Sequence, residues 1–259
     1  MATSPRTLDD LPVELLYEIY VYAADENLPL TSRHLLAVFR GAPTHVHAEY
    51  IINRHTRAQA KSRTTLVTRA LRYPICNEGV LEALLRHPDR PSVGDERPTL
   101  PRRLFSALND SRPGGWRDRH EPLPFLRYLY SHPRIPPPDP DSHEGYPLAR
   151  AVKADFRPLI EFLLAQGASP KFKDGLSIKL AIQRHDLSLV KLLVEPSETG
   201  VAGVKTGGKR RRVSDRMVLG PAHLRVAVQA QADDIVDWLV REKRCVPDIR
   251  TLHSLGLRK

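Results

Sequence analysis

The chain has 259 residues, of which 41% are hydrophobic and 27% are charged, and its formal net charge is +10. This balance is typical of a globular protein. It excludes an intrinsically disordered protein, which has too few apolar residues to form a core. The only cysteines are Cys76 and Cys245, so a disulfide framework is excluded and a reducing compartment is expected. The first ten residues lack the apolar run of a secretory signal, and no stretch of about 18 apolar residues predicts a membrane span.

Apolar residues at helical spacing predict three helices in the first quarter of the chain. The first covers residues 8–22. The second covers residues 31–40, where the side chain of Thr31 or Ser32 can cap the first turn. A third helix, polar and basic, is predicted over residues 45–63.

Two further segments have the pattern of imperfect helix pairs. Residues 65–88 carry apolar positions for two short helices. Residues 101–130 carry a similar pattern, which is interrupted by a polar insertion rich in proline and glycine. Residues 133–140 are too rich in proline for a helix and predict an extended connector.

Three later blocks repeat one apolar template in register. The blocks begin at Gly145, Gly175 and Pro221, and each has an alanine six residues after its start. Self-similarity at a period of about 30 residues is typical of stacked helical repeats, because one repeat cannot bury its apolar face alone. The equivalent template positions are Leu148, Ile178 and Leu224; Ala151, Ala181 and Ala227; Leu159, Leu189 and Ile235; and Leu163, Leu193 and Leu239.

The blocks resemble ankyrin repeats. The run Leu163–Pro170, LLAQGASP, is similar to the end of an ankyrin second helix and the turn after it, and the run from Gly175 to Ala181 is similar to a repeat opening. The usual Thr-Pro-Leu-His tetrapeptide is replaced, for example by Tyr-Pro-Leu-Ala from Tyr146. The resemblance implies an all-α, ankyrin-type helical-hairpin solenoid over residues 61–259, with about five repeats of which about two are divergent.

The N-terminal segment, residues 1–60, resembles an F-box. Its run Leu-Pro-x-Glu-Leu-Leu from Leu11 is similar to the start of the F-box-like segment that precedes ankyrin repeats in many fungal proteins. The resemblance implies docking on a Skp-type adaptor of a cullin-RING ubiquitin ligase. The residues that would bind the adaptor are Leu11, Pro12, Leu15, Leu16, Ile19, Leu35 and Phe39. Alternatively, these helices only form a helical cap that closes the solenoid.

A basic, glycine-rich loop is predicted at residues 197–218, between the second and third blocks. Its basic residues are Lys205, Lys209, Arg210, Arg211 and Arg212. Such a cluster directs nuclear import, contacts nucleic acid, or is an ordinary solvated loop. Ser214 follows in a sequence that suits a basophilic kinase, and its phosphorylation would add about −1.5 to −2 charges and mask the cluster.

Catalytic and ligand-binding patterns are absent from the sequence or incomplete. Gly203–Arg210 nearly match a phosphate-binding loop, but Arg210 replaces the hydroxyl residue that would hold magnesium. His45, His47 and His55 lack a partner at zinc spacing. We therefore expect no enzyme activity, no cofactor, no metal site and no small-molecule substrate.

These observations favour a non-catalytic protein-interaction module in the nucleus, the cytoplasm or both. The first hypothesis is a substrate-recruiting F-box-type subunit of a ubiquitin ligase. The alternative is a scaffold subunit of a nuclear or chromatin-associated complex, whose basic loop serves import or nucleic-acid contact. Direct nucleic-acid binding is a third hypothesis, and no membrane partner is expected.

Overall fold

The computed structural model describes residues 7–59, 64–91, 96–108, 115–195, 216–249 and 251. All regular structure in these ranges is helical, apart from an isolated parallel bridge between Thr99 and Asp139. The prediction of an all-α protein is therefore confirmed. None of the described helices is long and apolar enough to cross a membrane.

The chain divides into two compact units. One comprises Met1–Pro101 and Pro124–Asp139, and the other comprises Arg102–Leu123 and Pro140–Lys259. This division differs from the expected boundary at residue 60. The helix that ends at residue 59 packs extensively on the helix that follows at residues 78–86, so the two helices share one core.

The first unit is organised around its third helix. The helix buries Tyr50, Ile51 and Ile52, so it is a core element rather than the polar helix expected. It contacts the first, fourth and fifth helices. The first six α-helices among the described residues are α1 (Val13–Ala23), α2 (Arg33–Arg40), α3 (Thr44–Gln59), α4 (Leu66–Ala70), α5 (Glu78–Arg86) and α6 (Leu123–Ser131).

The first predicted helix is broken near its start. Leu8–Asp10 form a 3₁₀ turn, Leu11 and Pro12 are extended, and α1 begins only at Val13. A residue that precedes proline avoids helical backbone angles, which explains the break at Leu11.

Side-chain caps fix the starts of the next helices. Ser32 caps α2 as predicted, because its Oγ accepts a hydrogen bond from the Leu35 N–H at 3.2 Å. Asn77 caps α5 in the same way, with Oδ1 2.9 Å from the Val80 nitrogen. The helix pair predicted within residues 65–88 is confirmed as α4 and α5.

The described part of the second unit contains three helix pairs, one for each sequence block. The template positions given above are all fully buried. The first helix of the middle pair contacts the first helix of both other pairs. The pairs are α7 (Ser142–Lys153) with α8 (Arg157–Ala165), α9 (Phe172–Gln183) with α10 (Leu187–Val194), and α11 (Pro221–Ala230) with α12 (Asp233–Arg241).

The turn inside each pair has the same conformation. Asp155, His185 and Gln231 are left-handed, with φ of 56°, 57° and 61°. The next residue in each turn donates its N–H to the carbonyl of the block's alanine, at 3.0, 3.3 and 3.1 Å. The sequence repeat is therefore also a repeat of local structure.

The first two blocks also share a left-handed segment at the start of α7 and α9. His143–Gly145 and Lys173–Gly175 have positive φ, and both glycines have φ of +72°. Glycine is the residue best suited to end such a segment, because it lacks a Cβ. The third block differs, since Gly220 is extended before α11 begins.

The expected helical repeat at residues 101–130 is wrong. Arg102–Phe105 form only a 3₁₀ turn, which contacts α7 in the second unit, whereas α6 follows in the first unit from Pro124 onward. The side chain of Arg150 donates to the Phe105 carbonyl at 3.4 Å and to the Leu108 carbonyl. Pro113, Gly114 and Gly115 follow Leu108 closely in the sequence and favour a loop there, so the segment is not continued into a helix.

Candidate protein-interaction surface

One face of α1 carries an exposed apolar stripe. Leu15 and Tyr22 keep 44% and 70% of their surface exposed, and the half-buried Ile19 lies between them along the chain. Residues three and four positions apart share one face of a helix. We call Leu15, Ile19 and Tyr22 the α1 stripe. The half-buried Leu11 and the exposed Pro12 directly precede this helix.

The predicted adaptor-binding residues fall into two groups. The accessible group is Leu11, Pro12, Leu15 and Ile19. The buried group is Leu16, Leu35 and Phe39, which are only 1%, 2% and 2% exposed. In this conformation the buried group belongs to the core of the first unit, and a partner would have to open that core to reach it. Tyr22 was missed, although its spacing from Ile19 places it on the same face.

Side chains of α3 hold the C-terminal end of α1. Asn53 donates to the Val21 carbonyl at 3.3 Å, and Arg54 donates to the Ala24 carbonyl at 2.9 Å. Arg57 donates to the carbonyls of the last two residues of α1, at 2.7 Å to the final one. Cations at this end of a helix also interact favourably with its dipole.

A basic stripe of six Lys and Arg residues between positions 54 and 72 of the sequence is a second candidate for nucleic-acid contact, and those contacts bear on it. Arg54 and Arg57 belong to this stripe, which also includes Arg69 and Arg72. Both α3 arginines donate to carbonyls at the C-terminal end of α1, which uses part of their capacity to donate to phosphates. Lys61 and Arg63, which complete the stripe, lie outside the described residues.

An aromatic stack supports the buried side of α1. The Tyr20 ring lies between Phe39, at a centroid distance of 4.5 Å, and Tyr50, at 4.1 Å. Tyr73 meets Tyr50 edge-on at 6.0 Å. Burial raises the pKa of Tyr20 and also raises the pKa of Tyr50, to about 12. The stack joins α1, α2 and α3, and therefore presents the α1 stripe on a firmly held helix.

Reciprocal ion pairs link the turns of the first two helix pairs of the second unit. Arg157 pairs with Asp186 in the next turn, and Arg184 pairs with Asp155 in the preceding turn at 3.0 Å. Partly exposed pairs contribute little individually, but a reciprocal set favours one register. These charges are therefore committed to packing between repeats.

Several predicted features lie outside the described residues, namely Lys205, Lys209, Arg210, Arg211, Arg212 and Ser214. Within the described ranges, no group of three or more His, Cys, Asp or Glu side chains is placed to hold a metal ion. Cys76 and Cys245 are buried and form no disulfide. Burial lowers the pKa of His47 and of His55.

The α1 stripe has the geometry of a helix that docks into an apolar groove. Its anchors have the spacing i, i+4 and i+7, which is the spacing used by helices bound in grooves. The α3 side chains hold the C-terminal end of α1, and the aromatic stack packs against its buried side. The chain matches no family model, no curated protein and no solved structure.

Proposed function

We propose that this protein is a non-catalytic recognition subunit. The α1 stripe docks on a Skp-type adaptor of a ubiquitin ligase, and ankyrin-type repeats built from α7–α12 hold the target. The observation that carries the proposal is the exposure of Leu15, Ile19 and Tyr22 within the F-box-like segment. Full burial of a fully exposed apolar side chain contributes about 1.5–3 kcal/mol, so burial of the exposed parts of Leu15, Ile19 and Tyr22 together can support specific binding.

The second unit supports the repeat part of the proposal. Its three helix pairs share a turn conformation and a buried alanine. The first helix of the middle pair, α9, contacts both α7 and α11. Repeat arrays bind macromolecules through residues exposed along the stack. Target recognition accordingly belongs to the second unit and adaptor binding to the first.

Co-purification with the Skp-type adaptor tests the proposal. Leu15→Asp/Ile19→Asp places two charges in the stripe and is expected to weaken adaptor binding at least about a hundredfold. Val240→Asp on α12 is the matched control, because Val240 and Leu15 are both 44% exposed. Circular dichroism checks that each variant is folded. The proposal fails if wild type captures no more adaptor than the double variant.

A scaffold role is the second candidate, and the burial of Leu16, Leu35 and Phe39 favours it. In this alternative the N-terminal helices only stabilise the chain, so wild type does not bind the adaptor. Its basic loop directs the protein to the nucleus. Deleting residues 209–212 then moves a tagged protein into the cytoplasm, and an unchanged distribution excludes the import role.

A further inference from the structure

A cavity of about 230 Å³ lies in the first unit, beside the aromatic stack. Leu36, Phe39 and Ile75 give it apolar walls, and Tyr20 and Tyr50 also line it. An apolar cavity of about 150 Å³ is large enough to bind benzene. The volume here therefore suits one aromatic ring, or a branched aliphatic group, with a small polar substituent.

Two tyrosine hydroxyl groups border this cavity without a hydrogen-bond partner among the described residues. Tyr20 and Tyr50 are 3% and 2% exposed, and neither hydroxyl forms a hydrogen bond with a described residue. A hydroxyl that borders a pocket without a partner in the chain is available to donate a hydrogen bond to a bound ligand. Phenols are protonated at neutral pH, and burial raises the pKa of both Tyr20 and Tyr50 further, so both can donate.

Two charged side chains line the cavity, and the cationic one has no ion pair within the described chain. Glu26 lines the cavity, but its carboxylate is 2.8 Å from the Arg54 guanidinium. Arg40 also lines the cavity, and its guanidinium has no ion pair within the described chain. A guanidinium and two neutral hydroxyl donors together match an anionic oxygen acceptor.

We propose that this cavity binds a small apolar carboxylate. Its aromatic or branched body lies among Leu36, Phe39 and Ile75. Its carboxylate faces Arg40 and the hydroxyls of Tyr20 and Tyr50. The proposal is independent of adaptor binding, because the α1 stripe and the cavity use different side chains.

Calorimetric titration of the full chain with phenylacetate tests the proposal. We expect saturable binding that Arg40→Gln weakens at least about tenfold and Tyr50→Phe weakens about threefold. Arg33→Gln removes an exposed charge from the same helix without altering the cavity lining, and it should leave the affinity unchanged. Phenethylamine carries the same ring with a cationic group and should not bind.

A cavity-filling variant provides a second, independent test of where phenylacetate binds. Leu36→Trp should abolish phenylacetate binding in a protein whose circular dichroism is unchanged. A peptide that ends in phenylalanine presents the same ring and carboxylate, and tighter binding of this peptide would identify a protein C-terminus as the source of the ligand. Absence of phenylacetate binding at millimolar concentration would show a hydrated cavity only and overturn the proposal. Equal affinity of wild type and Arg40→Gln would overturn it as well.

Discussion

Gly175 lies where the second and third helix pairs of the second unit approach each other closely. Its φ is +72°, and a Cβ at this position would lie 2.5 Å from Nε2 of His223 on α11. That distance is too short for any real Cβ contact, so a side chain at Gly175 would force either the His223 side chain or α11 to shift. Glycine at this position therefore permits both the left-handed backbone and the close approach of α11.

Replacing Gly175 with alanine should destabilise the protein by two additive effects. The left-handed backbone costs about 1–2 kcal/mol for a residue with a Cβ, and overpacking against His223 adds about 1–3 kcal/mol. Gly167→Ala is the matched control, because Gly167 also has positive φ (+92°) but no atom within 4 Å of its Cβ position. Urea unfolding compares the two variants. Equal losses would show that His223 moves aside without cost.

Three buried histidines should make the fold sensitive to acid. Burial lowers the pKa of His47, His55 and His223 below the value of about 6.5 expected in the unfolded chain. The unfolded state then binds more protons, and the free energy of unfolding falls as the pH drops below about 6.5. The limiting slope is about 1.4 kcal/mol per pH unit for each histidine.

His223→Gln tests this acid sensitivity, since glutamine stays neutral and can still accept the hydrogen bond that Gly220 donates at 3.3 Å. Urea unfolding at pH 7.5 and pH 5.5 should show a smaller difference in the variant than in wild type. Comparing the two pH values cancels any loss of packing that is independent of pH. An unchanged difference would mean that His223 does not contribute to the acid sensitivity.

At the level of elements, the sequence identified those helices whose burial follows a repeated local pattern. The three pairs of the second unit were predictable because each template position is a core position, from Leu148 to Leu239. The break before α1 was not expected, although the proline at its start carried the signal. The split of residues 101–130 between two units was also missed, because local spacing does not reveal which core a segment joins.

The candidate site was predictable only in part. The resemblance pointed to Leu15 and Ile19, and helical spacing extends that pattern to Tyr22. The burial of Leu35 and Phe39 depends on where α2 packs, which their own spacing does not determine. The contacts of Arg57 with the end of α1 and the stack of Tyr20 on Tyr50 join residues about 30 positions apart, and no local pattern marks such pairs.

On the scale of the whole molecule, the position of α9 determines how a local loss of stability affects the rest of the second unit. It contacts α7 on one side and α11 on the other, so the middle pair contributes to two interfaces. In a stack of repeats each unit is stabilised by its neighbours. Weakening the middle pair should therefore affect both other pairs, whereas weakening the last pair should affect mainly itself and the middle pair.

Leu163, Leu193 and Leu239 allow a matched comparison, because each is a fully buried leucine at the same template position. Each Leu→Ala substitution should cost about 2–5 kcal/mol. Hydrogen–deuterium exchange should show that Leu193→Ala lowers protection in α7–α8 and in α11–α12, whereas Leu239→Ala lowers it first in α11–α12 and leaves α7–α8 protected. An equal loss of protection across α7–α12 in all three variants would show that the second unit unfolds as a single block, with no propagation between neighbouring pairs.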